Sequence, residues 1–371
     1  MNFSNEKISF RQLIGILVLE IFSTSFLSLP KILYSNTKHD SWLFLFISGT
    51  IAYISISLYL YLYKKTNSKT FKEFLDITFG PLSKIIIFIF ICKNLLFISF
   101  ELNYFIDLVQ NILLKNTSKI SILIFVLLSA YYFSKKGIET RGRLAEFLIL
   151  PVFIAFITFF IVASINADFT NIFPILQTTT NYKDMANTVF FGLMAFSGLE
   201  YIFILVPFLK KQEKFHKASL YVLITTTLFI SLTTLLTIAV FNHQILLEKY
   251  PVIMILNSIS LPFDFIERQD SLVFILWIIG SFFTVSAGFF YSSLLFKDLT
   301  PHKKYIDEVL VVIVFSITIF FTNYVNETTI GTIVFLVNLI YLVFLPIISF
   351  AIHTIRSLFI NKKTEENYEN F

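Results

Sequence analysis

The chain has 371 residues, 56% of them hydrophobic and 14% charged, with 47 Phe and a formal net charge of +5. A soluble domain carries about 25% charged residues, and folds of this size still expose roughly a quarter of the unfolded chain's surface. That excludes a soluble enzyme. A single cysteine, Cys92, excludes a disulfide scaffold. What remains is an all-α polytopic membrane protein whose solvent is lipid.

About 20 mainly apolar residues cross a bilayer. Ten such spans are predicted, at 10–34, 41–63, 82–113, 119–134, 144–165, 185–209, 218–241, 271–296, 306–324 and 329–356. The first follows a polar start with no small-residue cleavage site, so it reads as a retained helix and not a signal peptide. With both termini taken as cytoplasmic, the inner segments carry three times as many Lys and Arg residues as the outer ones, the bias expected of that orientation. Residues 1–371 read as one membrane domain, with a short cytoplasmic tail at 361–371. Ten spans divide into a first repeat over 10–165 and a second over 185–356. Because five is odd, the second runs inverted. Within the long outer connection 242–270, Pro251–Leu261 is apolar but too short to cross, and reads as an interfacial or re-entrant helix.

Two spans carry break signals. In the first, Glu20 is followed by Ser23, Thr24, Ser25 and Ser28 before Pro30, which lacks a donor and hinders the preceding turn. In the sixth, Ser197 and Gly198 precede Leu199 and Glu200, and Gly198 lets the backbone leave helical geometry. Paired breaks in two halves point to a midplane site, where half-helix ends offer amides to a carboxylate and carbonyls to a cation. Close helix packing through small residues is the competing explanation.

The opening Lys7-Ile8-Ser9-Phe10-Arg11-Gln12-Leu13 leads into a span ending Leu29-Pro30-Lys31-Ile32-Leu33. Then come Lys69-Thr70-Phe71-Lys72-Glu73-Phe74, Lys136-Gly137-Ile138-Glu139, Arg143-Leu144-Ala145-Glu146, Gly198-Leu199-Glu200, Pro207-Phe208-Leu209-Lys210-Lys211, Tyr250-Pro251 and Glu267-Arg268-Gln269-Asp270. In order and spacing these resemble the GerAB-type spore germination permeases, the B subunits of spore germinant receptors, over about residues 7–355. The resemblance implies the amino acid–polyamine–organocation transporter superfamily and a LeuT-like 5+5 inverted repeat. It also implies an inner membrane of the spore, an A-type and a lipoprotein C-type partner subunit, and a small germinant, often an amino acid or nucleoside. Many members place Gly directly before the Glu; here Leu199 intervenes.

An ionisable group inside the bilayer costs about 2.5–3.5 kcal/mol at a helix centre on insertion scales, which makes each a functional candidate. Glu20, Glu101 and Glu200 are candidates for proton or ion coupling, and Glu101 and Glu200 also for ligand binding. Glu101 resembles a recurrent acidic position of the family. Lys93 reads as snorkelling toward the inner face. Glu139, Arg141, Arg143 and Glu146 read as topogenic charge at a helix entry, with a gate or docking point as the alternative. The eighth span offers Phe283, Thr284 and Ser286 for a small-ligand pocket. With Ser23, Thr24, Ser25, Ser197 and Gly198 these complete the candidate ligand set.

No cofactor or metal is expected, because there is no phosphate loop or dinucleotide fingerprint and His39, His216, His243, His302 and His353 are scattered. No nucleic-acid module is recognised. Membrane lipid, the two partner subunits and a germinant are the expected partners. Two functions compete: a germinant-sensing subunit, and an H+- or Na+-coupled amino acid permease. A purely structural assembly subunit and a membrane enzyme rank below them.

Overall fold

A computed structural model describes residues 7–22, 26–165, 167–176, 181–210, 214–257, 270–300 and 305–356. Apart from one isolated bridge, the regular elements among them are helices. Helix α1 (Phe10–Phe22) is followed by α2 (Leu29–Thr37), which leads through a 3-10 turn at Lys38–Asp40 into α3 (Ser41–Lys65). A short α4 (Phe71–Phe79) precedes α5 (Ser83–Ile112), α6 (Lys119–Ser134) and α7 (Gly137–Ile165). The next stretch is interrupted: α8 (Tyr182–Gly192), a 3-10 turn at Leu193–Phe196, a second at Leu199–Tyr201, and α9 (Ile202–Leu205). Then come α10 (Phe215–Phe241), α11 (Pro251–Asn257), α12 (Asp270–Leu299), α13 (Ile306–Tyr324) and α14 (Glu327–Leu339), which runs into a π turn at Ile340–Phe344.

Seven of these helical stretches are long and apolar enough to cross a membrane: Leu29–Lys65, Phe71–Ile112, Gly137–Ile165, Phe215–Leu246, Phe274–Leu299, Ile306–Tyr324 and Thr329–Arg356. The pair Tyr182–Phe196 and Leu199–Phe208, bent by 51°, makes an eighth if it is one span. Helix α6 is apolar but shorter. Helix α1, at 13 residues, rises only about 20 Å, too short to cross by itself. Side chains such as Phe147, Leu150, Ile157 and Ile161 are exposed on α7, the pattern of a helix solvated by hydrocarbon rather than water.

Local chemistry explains several boundaries. Thr70 caps α4 by accepting from the Glu73 backbone N–H at 3.1 Å, while the Glu73 carboxylate accepts from the Lys69 backbone N–H at 2.7 Å. Reciprocal bonding of this kind satisfies donors that a helix start leaves free. Pro30 does not interrupt a helix, as the sequence suggests; it sits in the first turn of α2, where a missing N–H is no loss. The interruption lies before it, in the segment the Ser/Thr run marks, with turns at 26–28; there Phe22, Phe26, Phe156 and Phe229 pack ring against ring at 4.0–5.8 Å. Over the expected stretch 251–261 the structure has a helix, α11, packed on α10 and α12; residues 258–261 lie outside the described residues.

The core is organised around α12 and α5, which run antiparallel, Ile98 meeting Gly288 and Phe105 meeting Trp277. A Cβ at Gly288 would lie 2.1 Å from Ile98 Cγ2, so only glycine permits this approach. Helix α1 packs on α7, α10 and α12, and α10 on α3. Near the start of α1, Ile8 forms a parallel bridge with Leu209: its N–H donates to Phe208 O at 2.8 Å and its carbonyl accepts from Lys210 N at 3.1 Å. The chain's opening is thereby fastened to the segment that follows α9.

Candidate functional site

The interruption between α8 and α9 is a change of backbone state at two residues. Ser197 is extended (φ −61°, ψ 131°) and Gly198 adopts φ +97°, a left-handed conformation open to glycine at little steric cost. The Glu200 carboxylate folds back on this turn, its Oε2 accepting from the Gly198 N–H at 2.9 Å. Its Oε1 pairs with Lys93 Nζ of α5. Lys93 is 2% exposed; it does not snorkel. It lies ten residues into α5, about 15 Å from the helix start, beyond the reach of its own stem.

A second buried pair lies at the end of α1. Arg141 Nη2 donates to Glu20 Oε1 at 2.6 Å and to Phe283 O at 3.3 Å, and Nη1 to Ser286 Oγ at 2.8 Å. The Tyr291 hydroxyl is 3.2 Å from both Glu20 oxygens. The Thr284 hydroxyl donates to the Glu20 backbone carbonyl at 2.6 Å. The guanidinium also faces the rings of Phe133, Phe290 and Phe283 at 5.6, 5.8 and 6.0 Å. Arg141 is fully buried, which corrects its reading as topogenic charge. The cause is a helix boundary: α7 begins at Gly137 and not near 144, so Arg141 sits in its second turn on the inward face. Its neighbours stay outside. Arg143 and Glu139 form an exposed pair at 2.6 Å, and Glu146 accepts from Gln12 Nε2 at 3.0 Å.

The two pairs lie close to each other in the buried interior. A Cβ placed on Gly198 would lie 3.7 Å from the Glu20 carbonyl oxygen, so the end of α1 and the Gly198 turn face each other. The rings of Tyr201 and Tyr291 stack at 4.4 Å, joining the Glu200 side to the Glu20 side. Tyr201 also lies within electrostatic reach of Glu20, Glu101, Glu200 and Arg141. Glu101 is 1% exposed and belongs to the same interior. Beside Lys93, the Asn94 amide finds no protein partner among the described residues, and neither does the Tyr201 hydroxyl. Buried polar groups are almost always bonded, so these atoms present open valences toward the interior. Such a constellation is a poor stability device, because desolvating two ions offsets most of their attraction. Intramembrane ionisable groups that are retained mark functional sites.

A sequence model of a family described as spore germination protein matches residues 7–331. The chain belongs to the spore germination permease family. It is 23% identical to spore germination protein B2 of Bacillus subtilis (strain 168) over 329 residues, covering 88% of this chain and 89% of that one. It is 26% identical to spore germination protein A2 of the same organism over 319 residues, 85% and 86% of the two chains. To spore germination protein KB, also of that strain, it is 24% identical over 333 residues, 86% and 88%. The length and hydropathy of its helices make this family member a multi-pass membrane protein.

In this permease-family chain the predicted site residues divide into three groups. Ser197, Gly198, Glu200 and Glu20 come together at the facing turns, with Glu101 nearby. Phe283, Thr284 and Ser286 gather instead around Arg141 and the Glu20 carbonyl, as ligands of the protein's own groups. Ser23, Thr24 and Ser25 lie outside the described residues. Sequence reasoning missed Lys93, Arg141, Tyr201 and Tyr291 as members of the site. The depth of Lys93 in its helix was a usable signal; nothing local marked the two tyrosines. The histidines are less scattered than their spacing suggests, since His39 and His243 lie 5.8 Å apart and the latter meets the Tyr34 hydroxyl at 3.0 Å. Among the described residues no group of three or more His, Cys, Asp or Glu is placed to hold a metal.

Proposed function

We propose that this chain is the transporter-like B subunit of a spore germinant receptor, and that it binds a small germinant, an amino acid, where the Gly198 turn faces the end of α1. The observation that carries this reading is that the Gly198 turn, bonded to the Glu200 carboxylate, faces the Glu20 carbonyl across two interrupted helices. Helix breaks of this kind bring backbone groups and a carboxylate within reach of a zwitterion, and here Thr284 and Glu200 hold those groups within the protein. The names of the relatives, germination proteins B2, A2 and KB, support the receptor assignment. In this reading α1 with α2 forms span one and α8 with α9 forms span six of a ten-span, LeuT-like 5+5 inverted repeat, with both termini cytoplasmic. The chain sits in the inner membrane of the spore and works with an A-type and a lipoprotein C-type subunit. Ligand binds one conformation better than the other, and the difference in affinity drives the response.

The test is a germinant dose–response in spores carrying Glu200→Gln or Glu101→Gln at matched protein level. A charge-assisted hydrogen bond contributes about 1.5–3 kcal/mol, so loss of the Glu200 charge raises the half-maximal concentration by about tenfold or more. Unchanged curves for both variants refute the site. The same facing turns would serve an H+- or Na+-coupled amino acid permease. Accumulation of labelled amino acid in vesicles under an ion gradient assigns the chain to that class, and binding without accumulation assigns it to sensing.

A further inference from the structure

Lys93 stands where the ammonium of a ligand would stand. Its Nζ meets the Glu200 carboxylate and lies 4.6 Å from the Phe90 ring centroid, 5.1 Å from Tyr201, 5.8 Å from Phe97 and 6.0 Å from Tyr341. A carboxylate surrounded by ring faces is a recognition device for alkylammonium ions, because the ring quadrupole attracts a cation without demanding one bond direction. The rings come from three parts of the chain: α5, the Gly198 turn and the π turn at 340–344. Tyr341 is fixed by donating to Ile86 O at 3.0 Å, and π turns gather at functional sites. A pair meant only to clamp helices would favour Arg, whose planar fork engages a carboxylate at two points. Lys93 makes a point contact with one Glu200 oxygen, and the other oxygen serves the Gly198 turn.

We propose that Lys93 is a tethered occupant of an ammonium site on Glu200, and that a ligand with a primary ammonium group displaces it. The inference rests on the reading of the Gly198 turn as the germinant site, and names the part of the ligand that the Glu200 end takes. A tethered group competes at an effective concentration on the order of millimolar, so weakly binding free amines leave the site unchanged. A ligand that also engages the facing backbone groups overcomes the tether. Its arrival frees α5 from the Gly198 turn, which supplies a conformational difference for the switch to read.

Lys93→Ala deletes the atoms of n-propylammonium from the cage, so that ion is the probe. In the purified full-length chain, n-propylammonium raises the thermal midpoint of Lys93→Ala by about 2 °C or more. Equal concentrations of n-propanol or tetramethylammonium do not, and the wild-type protein does not respond. Adding Glu200→Gln to Lys93→Ala abolishes the shift. No shift, or an equal shift with n-propanol, overturns the proposal. If Lys93→Ala is not recovered folded by itself, its recovery with n-propylammonium becomes the readout: a several-fold gain is expected, and unchanged recovery overturns the proposal. These readouts involve no germination. Their failure therefore leaves the germinant reading standing, whereas that reading falls on unchanged dose–response curves of the two Glu→Gln variants.

Discussion

Arg141 meets three kinds of acceptor, the Glu20 carboxylate, the Ser286 hydroxyl and the Phe283 carbonyl, and the Tyr291 hydroxyl binds the same Glu20. Lys93 meets one carboxylate oxygen and a set of rings. The first pair is bound by directional hydrogen bonds from three helices. The second is held by a point charge and by ring faces, which tolerate small movements of the cation. Two buried ion pairs of equal formal charge thus have different uses. One fixes the end of α1 against α7 and α12; the other can be exchanged.

The comparison breaks most visibly at Arg141. Arg141→Met leaves Glu20 without its cation and costs about 3–5 kcal/mol, so the protein should be strongly depleted from membranes on an immunoblot. Normal abundance would show that the Glu20 side is not a fixed point. Gly288 lies between the two regions, on the helix that carries the acceptors of Arg141 and against the helix that carries Lys93. Gly288→Ala forces its Cβ onto Ile98 and should cost about 1–3 kcal/mol, seen as a lower thermal midpoint. Thr284→Val removes one hydroxyl bond to the Glu20 carbonyl, worth about 0.5–1.5 kcal/mol. It sharpens the contrast if stability falls while the germinant dose–response keeps its midpoint. Arg143→Ala breaks only the exposed pair with Glu139, a change of about 0.3–0.5 kcal/mol, and both stability and response should stay within error.

Much of the helical framework was legible because hydropathy is a local property. Helices α6 and α13 have the bounds that the apolar runs suggest, and the turn at Gly198 falls where Ser197 and Gly198 mark it. What hydropathy does not encode is partnership. Lys93 and Glu200 are separated by 107 positions and Glu20 and Arg141 by 121, so each group looked like an isolated charge with a local excuse. The first interruption was legible in the Ser/Thr run before Pro30, but the use of Pro30 itself was not. Proline is both a helix breaker and a favoured first-turn residue, and the sequence around Pro30 does not say which use applies. Arg141 was misjudged because an N-terminal helix boundary carrying charged residues blurs into the loop before it. The seven residues of helix before position 144 turn a surface charge into an interior one.

Hydrogen exchange on the purified chain, with and without an amino acid that shifts the dose–response proposed above, tests the asymmetry directly. Amides report local opening and closing of the segment that bears them. Saturating ligand should change deuterium uptake across 196–202, where the Gly198 turn exchanges Lys93 for the ligand, and leave 283–291, which holds Arg141 and Glu20, unchanged. Uptake that shifts in 283–291 while 196–202 stays the same would contradict the account.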